Sequence, residues 1–162
     1  MKPSKLSVAM LAAGSALVLT LVPAAAQAHH GRHHGHNLIR ADLTPSMPTD
    51  APINGVNPGG LPWVLDRGQV RWRDNGRVDV RIEGLQIPFA TGDANPIASI
   101  DAVLYCDGMM AADSGPQPMT VPGGDARFRA MVATPSRCHD ATVLISPSTA
   151  VNVAYIASAM AD

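Results

Sequence analysis

The chain has 162 residues, of which 46% are hydrophobic and 15% charged, and its formal net charge is −1. Its only lysines are Lys2 and Lys5, so a mature chain without them has ten arginines against thirteen acids, a mildly acidic balance that argues against a nucleic-acid-binding protein. Fourteen prolines and fourteen glycines predict many turns and short elements.

The first 28 residues have the pattern of a secretory signal peptide. Lys2 and Lys5 precede an uncharged, mostly apolar run over residues 6–22, and the alanine-rich segment 24–28 follows. We therefore expect a signal helix, cleavage before His29 and a secreted or cell-envelope protein of about 134 residues, without lysine and without a membrane span. The alternative is an uncleaved anchor, because the apolar run approaches the length that spans a bilayer.

The segment that would follow cleavage is rich in histidine. It holds five of the six histidines of the chain, namely His29, His30, His33, His34 and His36. Clustered imidazoles separated by glycines can bind copper, nickel or zinc. A sharper hypothesis is that the α-amine and imidazole of His29 chelate copper, as in the histidine brace of secreted copper monooxygenases. The brace would need a further histidine from the body, which offers only His139. The remaining alternative is a disordered arm that binds no metal.

Residues 37–60 have the composition of a linker, with four prolines, three glycines and few apolar side chains. Such a segment buries too little apolar surface to offset the entropy lost on ordering it. Together with the histidine cluster it forms a predicted flexible arm over residues 29–60. A short edge strand over residues 38–43 is the alternative.

Residues 61–87 predict a long β-hairpin, the first element of a β domain over residues 61–162. A two-residue turn would place charged side chains on the apolar side of the hairpin. A three-residue loop over residues 74–76 instead puts Trp72 opposite Val78, and it gives a left-handed position to a glycine.

The same register gives the hairpin a charged face. Arg71 falls opposite Asp79 and Arg67 falls opposite Glu83, and such opposite charges stabilise neighbouring strands by roughly 0.2–1 kcal/mol. Three further arginines stay in excess, at Arg73, Arg77 and Arg81. A solvated, internally paired face is the ordinary interpretation, and a basic stripe that binds an anionic partner is the alternative.

Alternating apolar residues predict four more strands, over residues 97–106, 126–132, 138–145 and 151–157. A long connection is expected over residues 107–124. About six to eight strands in a domain of this size are typical of an antiparallel sandwich. We therefore predict an all-β, immunoglobulin-like β-sandwich. The immunoglobulin signature itself is absent, because both tryptophans precede both cysteines.

Cys106 and Cys138 are the only cysteines, and two cysteines in an exported chain most often form a disulfide. The bond would close a loop of about 33 residues and stabilise the fold by roughly 3.5–4 kcal/mol in the chain-entropy model. The alternative, Cys138 as a nucleophile beside His139, is disfavoured because adjacent residues on a strand point to opposite faces.

No catalytic constellation is recognisable in the sequence. A Gly-x-Ser-x-Gly pattern is absent, and Glu83 is the lone glutamate and is predicted to pair with arginine. Weaker ligand candidates are the loop aspartates for calcium and three methionines for Cu(I). They are Asp107, Asp113 and Asp125, and Met109, Met110 and Met119. We therefore expect a protein that is not an enzyme and holds no cofactor, except any metal at the histidines.

Several stretches between residues 60 and 157 resemble small uncharacterised secreted proteins of high-GC Gram-positive bacteria. They read GLPWVLDRGQVRW, NPI, LYC, GDARF and VAYIA. The resemblance implies export and a single β domain, but no activity and no site residues. The sequence thus predicts a secreted, monomeric domain that binds a protein or envelope ligand and no nucleic acid. The alternative is extracellular copper, nickel or zinc binding through residues 29–36.

Overall fold

A computed structural model of the protein describes residues 35–89 and 92–161. The predicted signal peptide and four of the five clustered histidines lie outside the described residues. Within the described part the chain forms strands and no helices, so it contains no helix that could span a membrane. The prediction of an all-β, antiparallel fold is confirmed.

Twelve strands follow one another along the described part of the chain. In order they are β1 Asn37–Asp42, β2 Thr44–Pro45, β3 Asn57–Pro58, β4 Arg67–Arg73, β5 Arg77–Glu83, β6 Ser99–Cys106, β7 Met109–Asp113, β8 Gln117–Pro118, β9 Ala126–Met131, β10 Thr142–Pro147, β11 Ala154–Tyr155 and β12 Ala157–Met160. Four of them, β2, β3, β8 and β11, are two-residue bridges. The longer ones form the sheets that carry the core.

The strands form two antiparallel sheets of unequal size. The four-stranded sheet has the order β1-β4-β5-β9, and the six-stranded sheet has the order β2-β12-β10-β6-β7, with β8 also paired to β6. A short parallel pairing of β3 with β11 stands apart from both. In the four-stranded sheet, β1 and β9, which are distant from each other in sequence, flank the central hairpin β4-β5.

One buried apolar cluster takes side chains from both sheets. Val70, Trp72 and Val78 of the hairpin are completely buried, and so are Ile100 and Val143 of the larger sheet. This burial follows from the period of two along each strand, which directs every second side chain to the same face.

The hairpin β4-β5 has the predicted register. Trp72 is opposite Val78, Val70 is opposite Val80, and residues 74–76 form the connecting loop. Gly76 has a φ of +84°, a conformation that a residue with a Cβ rarely adopts. A Cβ at this position would also collide with the carbonyl oxygen of Val132. The loop therefore requires glycine for two independent reasons.

The prediction of a flexible arm fails over residues 37–60. Strand β1 pairs with β4 over five residue positions, and Ile39, Leu43 and Val56 are only 2%, 6% and 3% exposed. Besides these three buried side chains, Leu38, Ala41 and Ile53 are partly buried, so the small number of apolar residues does not leave the segment free. The ordered body begins well before the predicted boundary at residue 61.

Strand β6 is covered on both faces. Its second face carries Val103 and Tyr105, which join a separate buried cluster with Val56, Leu144 and Tyr155. The covering residues come from the segment 53–56 and from the neighbourhood of β11. A single strand pattern does not show this cover, because its parts lie about 50 residues away on either side in sequence.

Two details of the C-terminal half differ from the predictions. The expected long connection over residues 107–124 contains β7 and β8, and β7 returns from β6 through the two-residue turn Asp107-Gly108. Both turn residues have positive φ, 52° and 78°, which the hairpin turn favoured by an Asp-Gly pair requires. The strands expected from residues 138 and 151 begin later, at Thr142 and Ala154.

The predicted disulfide between Cys106 and Cys138 is present, with the two Cα atoms 5.0 Å apart. It joins the end of β6 to the loop that leads into β10, the neighbouring strand of the same sheet. A small β domain closed by a disulfide is consistent with an extracellular protein.

Candidate functional site

The outward side of the four-stranded sheet gathers most of the positive charge of the protein. Its inward positions are apolar, so the alternating outward positions of β1, β4, β5 and β9 project into solvent. Eight of the ten arginines of the chain lie there, at Arg40, Arg67, Arg71, Arg73, Arg77, Arg81, Arg127 and Arg129. We call this surface the arginine face.

Charge is segregated between the arginine face and the rest of the described chain. The face carries three acids, Asp42, Asp79 and Glu83, so eight arginines leave a net charge of +5. The other described residues contain one arginine, Arg137, against nine aspartates, a net charge of −8 with neutral histidines. A chain of nearly zero net charge therefore folds into a domain with one basic surface.

The strand register arranges the centre of the face in two rows. One row, from β1 to β9, reads Asp42, Gln69, Arg81, Arg127, and the next row reads Arg40, Arg71, Asp79, Arg129. Arg40 is thus directly opposite Arg71, and Arg81 is directly opposite Arg127. Like charges directly opposite one another destabilise a sheet. The protein keeps two such pairs side by side on the same surface.

Asp79 is the acid at the centre of the face. Arg77 donates from Nε and Nη2 to its two oxygens at 2.9 and 3.1 Å, and Arg129 Nε donates to Oδ1 at 2.6 Å. Partial burial raises the pKa of Asp79, but the hydrogen bonds and charges of the two arginines outweigh it and hold that pKa below its ordinary value. Arg71 is opposite Asp79 in register as predicted, but the predicted ion pair is replaced by these two.

Glu83 is paired in a similar way at the other end of the hairpin. Arg81 Nε donates to Glu83 Oε1 at 2.9 Å, whereas Arg67 Nη1 is 3.9 Å from Oε2 and its side chain is 72% exposed. The predicted Arg67–Glu83 pair is thus present but loose. Four arginines of the face have no acid within 4.0 Å in the described part of the chain, namely Arg40, Arg71, Arg73 and Arg127.

Three depressions lie on or beside the arginine face in the described part of the chain, and one of them, of about 540 Å³, lies beside Arg81, Glu83 and Arg127. A shallow one of about 560 Å³ lies on the arginine face itself, where Arg71, Arg77, Arg81 and Arg127 surround it. A groove of about 800 Å³ runs beside β1, with a mixed lining that includes Asp50 and Met160. Gln69 lines both the shallow depression and the groove. The larger groove has no comparable set of like charges.

The predicted metal ligands are only partly visible. His36 is exposed, and its carbonyl oxygen accepts a hydrogen bond from the Asp74 amide at 3.0 Å. His29, His30, His33 and His34 lie outside the described residues. Over residues 35–89 and 92–161, no three histidine, cysteine or acidic side chains come together as a metal site would require. The metal hypothesis stays a prediction.

The other sequence candidates separate in space or take structural roles. Cys138 is in the disulfide, and His139 lies beside it in an exposed loop rather than on a strand. Asp125 accepts a hydrogen bond from the Gly84 amide and binds Thr120, so it supports a turn. Met119 is buried in the core, whereas Met109 is 71% exposed at the start of β7.

A buried carboxyl group, Asp101, escaped the sequence predictions. It is 3% exposed, it accepts a hydrogen bond from the Ser148 hydroxyl, and it lies beside Asp113. Burial and the neighbouring carboxylate raise the pKa of Asp101, although the Ser148 hydrogen bond acts in the opposite direction. Asp101 lies on the same face of β6 as Val103 and Tyr105, and the alternation along the strand gives no sign that this face is covered.

The arginine face is therefore the candidate functional site, because it groups eight arginine side chains on one surface. It is formed by four strands, and the pairing of β1 and β9 with the hairpin was not predicted from the sequence. Comparison with known proteins adds no second source of assignment: no protein-family model, no curated protein and no solved structure matches the chain.

Proposed function

We propose that the protein is a secreted or cell-envelope domain, with an immunoglobulin-like sandwich fold, that binds an anionic ligand through the arginine face. One observation carries the proposal: on this face Arg40 is opposite Arg71 and Arg81 is opposite Arg127, without an acid between the members of either pair. The domain acts by binding as a monomer and is not an enzyme.

The arginine face lowers the stability of the unliganded fold and offers strong contacts to an anion. A surface with no ligand would be stabilised by acids at some of these positions, by roughly 0.2–1 kcal/mol for each opposite-charge pair. The chain has nine aspartates elsewhere in its described part and places none of them there. Guanidinium groups bind phosphate, sulfate and carboxylate through two parallel hydrogen bonds, so an anion relieves the repulsion and is held in a defined geometry.

The proposed location has separate support. The first 28 residues have the pattern of a signal peptide, and the Cys106–Cys138 disulfide suits an oxidising compartment. Anionic polymers and lipids at a cell surface are ligands of the right charge for a protein exported there.

A binding measurement with matched variants tests the proposal. The mature protein is titrated with long-chain inorganic polyphosphate at about 50 and 200 mM salt, where affinity should fall steeply as counterion release weakens. Arg71→Gln should bind more weakly and show a smaller salt dependence. Arg137→Gln removes the same charge away from the face and serves as control. Equal binding by both variants, or none by the wild type, would refute the proposal.

The second candidate function is extracellular copper, nickel or zinc binding by His29, His30, His33, His34 and His36, and it is supported by the sequence alone. Copper and zinc titrations of the mature protein and of a version that starts at Asn37 decide it. Tight binding that is lost in the shorter version supports the arm as the metal site. Equal binding or no binding in both removes the hypothesis.

A further inference from the structure

The two like-charge pairs of the arginine face occupy defined positions relative to each other. The first pair, Arg40 and Arg71, bridges β1 and β4, and the second pair, Arg81 and Arg127, bridges β5 and β9. Their midpoints are two strand spacings and two residues apart. With strands about 4.8 Å apart and a rise of about 3.3 Å per residue, the pairs are separated by about 12 Å along a diagonal of the sheet.

The centre of the face between the pairs keeps a weak positive charge. Gln69 is neutral there, and Asp79 is bonded to both Arg77 and Arg129, so these four side chains together carry a charge of about +1. A chain of anions could cross this centre without repulsion. The first pair carries a charge of +2, and the second carries +1 once Glu83, which is bonded to Arg81, is included; these two pairs would hold the chain of anions most strongly at two separate points.

The outward positions of the face lack the side chains that recognise rings; Phe128 borders the shallow depression but is half-buried and opposite Val80 on the inward side of the sheet. The outward positions of β1, β4, β5 and β9, all within the described residues, contain no tryptophan, tyrosine or phenylalanine. Nucleic-acid bases are commonly bound by stacking on such side chains, and sugars by contact with them. The ligand is then selected by its charged groups and their spacing rather than by bases or sugar rings.

We infer that the arginine face binds a linear polymer with phosphate groups in its backbone, and that it holds two of those phosphates at once, one at each like-charge pair. The inference rests on the proposed function and specifies its ligand. A backbone phosphate suits a pair of guanidinium groups because its two non-bridging oxygens project in different directions from a tetrahedral centre, so each arginine can donate to a separate oxygen. Two linked contacts make the second binding event intramolecular, which raises affinity without further contacts.

The length of the ligand provides the first test. Inorganic phosphate and tripolyphosphate are too short to reach from one pair to the other, whereas polyphosphate of several tens of residues spans the distance. We expect affinity per mole of chain to rise by about 100-fold or more once the chain can span both pairs, because of the high effective concentration of the second phosphate. A gradual rise in proportion to the number of phosphates, without such a step, would overturn the two-point inference and leave the proposed function intact.

Variants of each pair provide the second test. Arg71→Gln and Arg127→Gln should each weaken long-chain binding by about tenfold or more, and each should remove the step in the length series. Their effect on tripolyphosphate should be at most about twofold, since the other pair still binds it. Arg137→Gln is the control of equal charge, and circular dichroism checks that each variant is folded. An unchanged length step in either variant would overturn the inference.

Two other polymers distinguish the chemistry of the ligand. Polygalacturonate carries carboxylates on sugar rings, and oligothymidylate carries phosphates with bases; both are compared with polyphosphate at equal total charge. Binding of oligothymidylate and polyphosphate with similar strength, and of polygalacturonate at least tenfold more weakly, supports recognition of the phosphate backbone. Equal binding of polygalacturonate would overturn the phosphate assignment, and failure of all three polymers to bind would refute the proposed function itself.

Discussion

Asp79 shows how one residue can exchange stability for binding. It neutralises Arg77 and Arg129 at the centre of a surface that otherwise repels itself. Its side chain is 28% exposed, and ion pairs near a surface stabilise a fold by no more than about 1 kcal/mol. The two ion pairs, Arg77–Asp79 and Arg129–Asp79, also occupy guanidinium groups that could otherwise contact a ligand.

We therefore predict that Asp79→Asn lowers the stability of the fold at neutral pH by about 0.5–1 kcal/mol and increases affinity for polyphosphate. The folded-state pKa of Asp79 is lowered from the ordinary value of 3.8. The stability that Asp79 contributes is therefore fully present above pH 3.8 and is lost as the pH falls below 3.8 and through the folded-state pKa. Denaturant unfolding at pH 7 and at pH 3 should show the two proteins converging at the acidic pH. Asp140→Asn, on an exposed loop, controls for the loss of one negative charge. Weaker polyphosphate binding by Asp79→Asn would contradict the prediction.

Asp101 presents the opposite case, because burial and the charge of Asp113 raise its pKa. The native state then holds the proton more tightly than the unfolded chain, so the stability that Asp101 contributes falls as the pH rises from below 3.8 through the folded-state pKa. Asp101→Asn keeps an oxygen that can accept the Ser148 hydrogen bond and cannot ionise. We expect this variant to be at least as stable as the wild type at pH 7, with a flatter dependence of melting temperature on pH. A variant that melts at a lower temperature than the wild type at pH 7 would show that the charged form is favourable.

Among the elements, the hairpin β4-β5 depends on one backbone position. Gly76 combines a positive φ with close contact to the Val132 carbonyl. We predict that Gly76→Ala destabilises the protein by about 1–3 kcal/mol, measured by chemical denaturation. Gly55 also has a positive φ, but a Cβ added there would meet no atom within 4 Å. Gly60 has neither a positive φ nor an atom close to an added Cβ, so Gly55→Ala and Gly60→Ala serve as graded controls. The loss should decrease in that order, and equal losses in the three variants would rule out the structural explanation.

The elements also show what the sequence could and could not predict. The hairpin register was predictable because apolar and charged residues alternate on both strands, so a shift by one residue would expose Trp72. The turn at Asp107-Gly108 was equally local, and the Asp-Gly pair was its unused signal. The cover on the second face of β6 was not predictable, since it depends on contacts of Val56 and Tyr155 with Val103 that are distant in sequence.

The arginine face belongs with the features that only the fold creates. From the sequence only the register of the hairpin could be predicted, and the hairpin contains just one arginine of each like-charge pair, Arg71 and Arg81. On the hairpin alone these arginines are interpreted as part of an internally paired, solvated surface. The arginines opposite them, Arg40 and Arg127, come from β1 and β9, which pair with the hairpin from separate parts of the chain. Pairing between such distant strands is set by tertiary packing and leaves no local pattern. The like-charge pairs therefore appear only in the assembled sheet.

At the scale of the whole molecule, the segment 37–60 links the two buried clusters. Ile39 and Leu43 belong to the main core, and Val56 belongs to the second cluster over β6. Strand β1 also covers the edge of β4 and completes the first like-charge pair. The segment with the composition of a linker is thus required both for the core and for the proposed binding surface.

The length of the independently folding unit follows from this packing. Truncating large buried aliphatic side chains costs roughly 2–5 kcal/mol each, so losing Ile39, Leu43 and Val56 together approaches the 5–15 kcal/mol that stabilises a typical domain. A version that starts at Leu61, the boundary predicted from composition, should therefore lack a cooperative thermal transition. A version that starts at Asn37 keeps all three side chains and should melt cooperatively, within a few degrees of the mature protein. A cooperative transition in the Leu61 version would mean that the body folds without β1, and the first like-charge pair would then be an accessory of the domain rather than part of its core architecture.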